Sequence, residues 1–370
     1  MATTRRKTIL TGTIDGARRI IGGVGVAVAT MSSIAMIYDP VMAAEPAAIM
    51  QSNETTVRVT IEQVPYEGWQ NAYRITNGTA EVIIVPQIAR IMRYGFINGA
   101  NLLWNNPSEL GKAGDTGGGW RNFGGDKPWP WPQDDWPRWF QRDANWPPPP
   151  EADQSPQTAR VIGANTVRLT SAVLAKTGLR IVRDITLAET GTRLYTVTRL
   201  ERVEDGFDFP VGAWAITQTP FVRGSLVVHL PPGETTLAEG WRIMGDKTPL
   251  QSIRRSKDGV TLTVDRDPQA KSGRKLGFDG DAIAGMIQDT ILVIRADSPG
   301  AKGFEWRPGE RGQIYVSDAG SPYIEWEFTS PVKPIKKGES VTLVTTLEAK
   351  KLAADRNANE ALDAAVRGKL

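Results

Sequence analysis

The sequence predicts an all-β protein built as a large sandwich of two antiparallel sheets. Three observations carry that expectation. Apolar and polar residues alternate with period two through most of the chain, Gly-containing turn signals separate the alternating runs, and helical periodicity is nearly absent before residue 348. About fifteen short strands with no intervening helices can bury their apolar faces only against one another.

Taken in order, residues 1–43 read as a signal peptide. Arg5, Arg6, Lys7, Arg18 and Arg19 precede Ile20–Ile37, an uncharged apolar stretch, and Val41-Met42-Ala43 then offers a peptidase site. The Gly and Ser content of that stretch makes it a poor membrane span, and no later segment is long and apolar enough to be one. A periplasmic or secreted chain is expected, with no stable membrane insertion after cleavage. Charge agrees with a leader that stands apart from the rest. The 370 residues carry 44 Lys+Arg and 41 Asp+Glu; five basic and two acidic side chains fall in residues 1–43, leaving 39 of each in 44–370. A neutral mature chain has no overall pull on phosphates, so nucleic acid is not an expected partner.

Residues 44–347 read as one sandwich domain. Val57, Val59 and Ile61 alternate with polar neighbours, and the same period runs through Glu81–Val85, Ile88–Gly95, Thr166–Thr170, Leu179–Leu187 and Arg193–Leu200. Lys176-Thr177-Gly178 and Glu189-Thr190-Gly191-Thr192 mark hairpin turns between the last three. Further strands are expected at Trp214–Thr219, Leu226–Leu230, Val260–Val264, Thr290–Ala296, Gln313–Ser317, Tyr323–Thr329 and Val341–Leu347. Residues 348–370, rich in Ala, Lys and Glu, read as a helical tail.

One segment breaks the pattern. Residues 120–150 hold six of the twelve tryptophans, together with a dense run of prolines. Proline removes backbone donors and fixes φ, so a long loop is expected here, neither a central strand nor a helix. Tryptophan faces stack on the apolar faces of sugar rings, while flanking carboxylates and amides bind hydroxyls. Trp129, Trp131, Trp136 and Trp139 beside Asp126, Lys127, Gln133, Asp134, Asp135 and Arg138 therefore have the composition of a carbohydrate cleft. The alternatives are a Trp/Pro cap that covers a sheet face and fills space, the reading that holds for any single tryptophan, and an aromatic surface for protein docking, as in a structural protein of the cell envelope. Adjacent Asp134 and Asp135 do not make a glycosidase pair, which needs carboxylates ~5–9 Å apart across a cleft.

Other chemistries are excluded or unsupported. The absence of cysteine removes thiolate, disulfide and iron–sulfur chemistry, and the single histidine, His229, rules out a histidine-rich zinc site. His229 lies in an apolar run and reads as structural. No Gly-x-Ser-x-Gly, phosphate loop or EF-hand spacing occurs, so neither metal nor cofactor is expected.

Several segments resemble one family. Asn71-Ala-Tyr-Arg-Ile-Thr-Asn-Gly-Thr-Ala-Glu-Val, Ile88-Ala-Arg-Ile-Met-Arg-Tyr-Gly-Phe and Asn101-Leu-Leu-Trp resemble the opening of the galactose mutarotase-like superfamily. Trp120-Arg-Asn-Phe-Gly-Gly-Asp-Lys-Pro-Trp, Trp214-Ala-Ile-Thr-Gln, and Tyr323-Ile-Glu-Trp-Glu-Phe-Thr-Ser-Pro with Lys337-Gly-Glu-Ser resemble later motifs of an exported branch of it. The resemblance spans residues 62–347. It implies a β-supersandwich that binds sugar on a concave sheet, with epimerase, mutarotase or lyase-type activity. By position it makes Glu325 the catalytic base. Asp126 stands where nearer relatives carry histidine, and is the candidate acid. The candidate substrate-binding residues are Arg90, Trp120, Arg121, Lys127, Trp129, Trp131, Trp214, Gln218, Lys275 and Glu327.

Overall fold

Period-two alternation becomes two ten-stranded sheets. A computed structural model describes residues 58–369, apart from 115, 116, 118, 206–208, 245–251, 267–272, 300–303, 305 and 318–321. The leader therefore lies outside the described residues. The strands run β1 Thr60–Tyr66, β2 Trp69–Thr76, β3 Ala80–Val85, β4 Arg90–Phe96, β5 Asp126–Trp131, β6 Thr158–Gly163 and β7 Thr166–Leu174. They continue as β8 Leu179–Leu187, β9 Leu194–Arg202, β10 Gly212–Pro220, β11 Leu226–His229, β12 Trp241–Ile243, β13 Ser252–Arg255 and β14 Thr261–Asp265. The last six are β15 Arg274–Phe278, β16 Ala282–Ile287, β17 Thr290–Asp297, β18 Gly312–Val316, β19 Tyr323–Thr329 and β20 Ser340–Lys351. Helices are few: α1 Trp136–Phe140, α2 Pro150–Asp153 and α3 Ala358–Val366.

The first sheet has the order β1-β2-β3-β4-β5-β10-β19-β18-β15-β12, and the second β13-β14-β11-β16-β17-β20-β9-β8-β7-β6. All the strand pairs are antiparallel. Strands β9 and β20 alternate buried and half-buried residues, as a half-covered sheet requires. The main core joins both sheets, with Ile84, Ile91, Tyr94 and Trp326 packed with Val167, Ile185, Leu292 and Leu347.

The Trp/Pro segment departs from expectation. Instead of a loop, Asp126–Trp131 forms the strand β5 in the middle of the first sheet, followed directly by a 3-10 turn and α1. Strand β5 pairs with β10 at six positions, from Gly212↔Trp131 to Thr217↔Asp126, but with β4 only at Ile91↔Asp126. Two prolines are tolerated because β5 is fully laddered on one edge only. Its entry turn needs glycine. Gly124 and Gly125 have φ of +86° and +75°, and a Cβ on either would lie 2.2 and 2.4 Å from the carbonyl oxygens of Trp104 and Ile91. Gly125→Ala should therefore lower the thermal midpoint, and an unchanged midpoint would contradict the need for glycine at this turn.

At the C-terminus, β20 runs on to Lys351 before the helix begins. Asn357 caps α3 by accepting from the backbone N–H groups of Asn359 and Glu360. The helix buries Ala361, Leu362, Ala365 and Val366 against Val227, Ala282, Ala284 and Met286 of the second sheet. Among the described residues no helix is long and apolar enough to cross a membrane.

Candidate functional site

The floor of the site is written into strand register. Gln218 of β10 stands opposite Glu325 of β19, which stands opposite Tyr315 of β18, itself opposite Lys275 of β15. One step along, Lys127, Ile216, Glu327 and Gln313 form the next row. Side chains at i and i+2 share a face, so Lys127, Trp129, Trp214, Gln218, Tyr323, Glu325 and Glu327 all belong to the outer face of the first sheet. A cavity of about 350 Å³ opens there, lined by Trp120, Trp129, Gln133, Trp146, Trp214, Lys275, Tyr315, Tyr323 and Glu325.

Glu325 is the carboxylate at the cavity. Its Oε1 accepts from Gln218 Nε2 at 2.8 Å and lies 3.8 Å from Lys127 Nζ. Lys127 is fully buried behind it, its ammonium 4.8 Å from the Trp129 ring centroid and without a hydrogen bond among the described residues. Burial, reinforced by the Arg90 guanidinium, lowers the Lys127 ammonium to about 8 against the pull of Glu325, Asp153 and Glu327. Lys275 reaches the cavity wall, 4.8 Å from the Trp214 centroid, and donates to Glu327 Oε2 at 2.9 Å. Burial raises the Glu327 carboxyl to about 7 against the Lys275 ammonium, with Glu325 adding to the rise.

Between pH 4.5 and about 7 the folded chain keeps a proton on Glu327 that the unfolded chain has lost. The native state therefore loses stability from this group as pH rises through that window. Glu327→Gln should flatten the fall, read from thermal midpoints at pH 4.5, 5.5, 6.5 and 7.5. An unchanged slope would contradict the raised carboxyl.

The walls are held by a residue that sequence reasoning missed. Asp153, fully buried at the end of α2, accepts from Trp129 Nε1 at 2.7 Å, Arg90 Nη2 at 2.8 Å and Trp120 Nε1 at 2.9 Å. The single preceding sequence cue is a polyproline run, which signals no buried acid. Arg90 thus acts behind the wall, also donating to the Gly124 carbonyl. Asp153→Asn keeps the shape but removes the charge opposite Arg90, and should cost about 1.5–3 kcal/mol of stability. Chemical denaturation measures this, and a change below about 0.5 kcal/mol, the ordinary range for a surface substitution, would remove Asp153 from its structural role.

Of the expected site residues, Arg90, Arg121, Asp126, Lys127, Trp131, Gln218 and Glu327 do not line the cavity, although Lys127, Gln218 and Glu327 share its face of the sheet. Asp126 faces the space between the sheets: it is fully buried, ion-paired with Arg183 of β8, and accepts from Thr217 Oγ1 at 2.6 Å. It cannot serve as the acid, because strand alternation turns it away from Lys127 and Glu325. Arg121 pairs with Glu109 at 2.9 Å outside the cavity lining. Trp131 shares the strand face and packs edge-on to Trp214 at 5.1 Å, but lines a neighbouring cavity. Trp136 and Trp139 are wholly buried in the core, Trp136 edge-on to Trp129 at 5.7 Å. Such pairs contribute ~0.5–1.5 kcal/mol each, so part of the tryptophan cluster is structural. His229 belongs to the second sheet and hydrogen-bonds Asp281 at 2.6 Å. Among the described residues no group of three or more His, Cys, Asp or Glu side chains gathers as a metal-ligand set.

No protein-family model and no curated protein matches the chain. Among solved structures it is similar to a galactose mutarotase-like protein from Lactobacillus casei, at 10% identity and a TM-score of 0.49, covering 76% of this chain and 100% of that one. It is also similar to a galactose mutarotase related enzyme from Lactobacillus acidophilus, at 9% identity and a TM-score of 0.46, covering 77% and 99%.

Proposed function

We propose that the protein is an exported carbohydrate-binding protein that seats a sugar ring in the Glu325 cavity and interconverts its anomers by acid–base catalysis. The observation that carries this reading is a single hydrogen-bonded carboxylate on the floor of an aromatic-walled cavity, with a cation on the adjacent wall. Glu325 accepts the proton of the anomeric hydroxyl, while Lys275 donates to the ring oxygen as the bond from that oxygen to the anomeric carbon breaks. The open aldehyde turns and recloses, and each proton returns by the reverse path. Glu327 accepts a hydrogen bond from Lys275 at 2.9 Å and so holds the donor in place at the cavity wall. Lys127 holds the Glu325 charge from behind, and the Trp120 and Trp146 rings, the two at the cavity that are not buried, supply the apolar faces on which a sugar stacks.

A docking surface on this segment would rest on Trp146 and Trp120, since Trp129, Trp131, Trp136 and Trp139 are buried. Trp146 is 44% exposed and lines the cavity, which makes it a clean probe of binding. Trp146→Ala should weaken saccharide binding by about ten-fold, ~1.4 kcal/mol, without unfolding the chain. A glycan array probed with wild-type and variant protein measures this. Loss of every glycan signal in the wild type, with capture of a protein partner instead, would overturn the reading. Export rests on the leader sequence: mature protein from the periplasm or medium should begin near residue 44, whereas an intact Met1 on cytoplasmic protein would contradict it.

A further inference from the structure

Beside the Glu325 cavity lies a larger one, of about 590 Å³, lined by Trp131, Asp134, Asn145, Arg242, Glu310 and Gln313. Gln133, Lys275 and Tyr315 line both, so the two spaces adjoin along a common wall of hydrogen-bonding side chains. The sheet order explains the direction. The first cavity sits over β10 and β19, and the second continues across β18, β15 and β12.

The second cavity is built with polar groups that the described residues leave unpaired. Gln313 is fully buried on β18 opposite Glu327, and neither its amide oxygen nor its amide nitrogen has a hydrogen-bond partner among them. Glu310 Oε1 is held by Arg242, while its buried Oε2 has none. Leaving such atoms unsatisfied costs about 1–3 kcal/mol each, a cost a hydroxyl-bearing ligand removes. Trp131 supplies an aromatic wall at the same place. The second cavity thus repeats the composition of the first: an aromatic side with amides, a carboxyl and a cation around it.

We propose that the two cavities are consecutive subsites for one saccharide chain, so that the substrate class is an oligosaccharide of at least two linked rings. The reacting ring lies at Glu325, and the next ring lies over Gln313 between Trp131 and Arg242. This rests on the sugar reading above and specifies its substrate. A monosaccharide would occupy the 350 Å³ space alone, near the lower end of the ~300–1,000 Å³ range of small-molecule sites, and leave the polar groups of the second cavity unused.

Isothermal titration of the full-length chain tests this with reducing sugars of the gluco, galacto and manno series, each as monosaccharide, disaccharide and tetrasaccharide. In one series the disaccharide should bind at least about ten-fold tighter than its monosaccharide. Gln313→Leu and Arg242→Ala should each erase most of that gain and leave the monosaccharide Kd within about two-fold. The Arg242 side chain is 43% exposed, so its loss tests the subsite even if Gln313→Leu disturbs packing. Equal affinity for monosaccharide and longer chains, or equal weakening of both by the two variants, would overturn the second subsite while leaving the first intact. Failure of every saccharide to bind would instead overturn the sugar reading, and the subsite with it.

Discussion

Glu325→Gln should slow anomer interconversion by about 10²–10⁴-fold, the loss expected when a positioned general base is removed. Sugar affinity should change by less than about three-fold, or ~0.7 kcal/mol, because glutamine keeps the size of the side chain and can still accept from Gln218. Exchange spectroscopy between the α and β anomeric protons gives the rate, and titration gives the affinity on the same protein. The substitution also removes a carboxylate that raises Lys127 and Glu327. The pH window over which Glu327 influences stability should therefore narrow, a readout that loss of a merely structural contact would not produce. If rate and affinity fall together, Glu325 is a binding residue and the base lies elsewhere. If neither falls, the cavity is not the site.

The second large effect falls on stability. Asp126→Ala should cost about 3–5 kcal/mol, because it strands the buried Arg183 guanidinium between the sheets. Arg183 would keep only the Asp126 backbone carbonyl at 3.2 Å and Thr196 Oγ1 at 3.3 Å. Replacing both partners by leucine should cost far less, since no uncompensated charge remains. Denaturant unfolding of the two single variants and the double variant measures the difference. A catalytic acid would behave oppositely, with turnover lost and stability kept. That outcome would return Asp126 to the active site and contradict the pairing of β5 with β10 that turns its side chain inward.

Much of the fold was legible because half-covered strands advertise themselves. Leu194–Arg202 falls where alternation placed it, and Tyr323–Thr329, which brings Glu325 with it, was expected although it is buried everywhere but at Glu325. Among the strands that escaped, two violate the rule for a reason. Ala282–Ile287 is buried on both faces and made largely of small apolar residues, so it shows no alternation. Asp126–Trp131 carries two prolines, which argue against a central strand until one knows that its β4 edge is almost unpaired. That one misreading also misplaced Asp126. In a loop, Asp126 and Lys127 could both face a ligand; in a strand, neighbours must point to opposite faces, and only Lys127 reaches the site. Asp153 was illegible altogether, because its partners Arg90, Trp120 and Trp129 come from three separate segments that only the tertiary fold brings together.

The most direct test is an experimental structure with a bound saccharide. A sugar ring is expected between the walls formed by Trp120, Trp129, Trp146 and Trp214, its anomeric hydroxyl ~2.6–3.2 Å from a Glu325 carboxylate oxygen and its ring oxygen facing Lys275. A saccharide bound on another face, or one in this cavity with its anomeric carbon turned away from Glu325, would contradict the proposed chemistry.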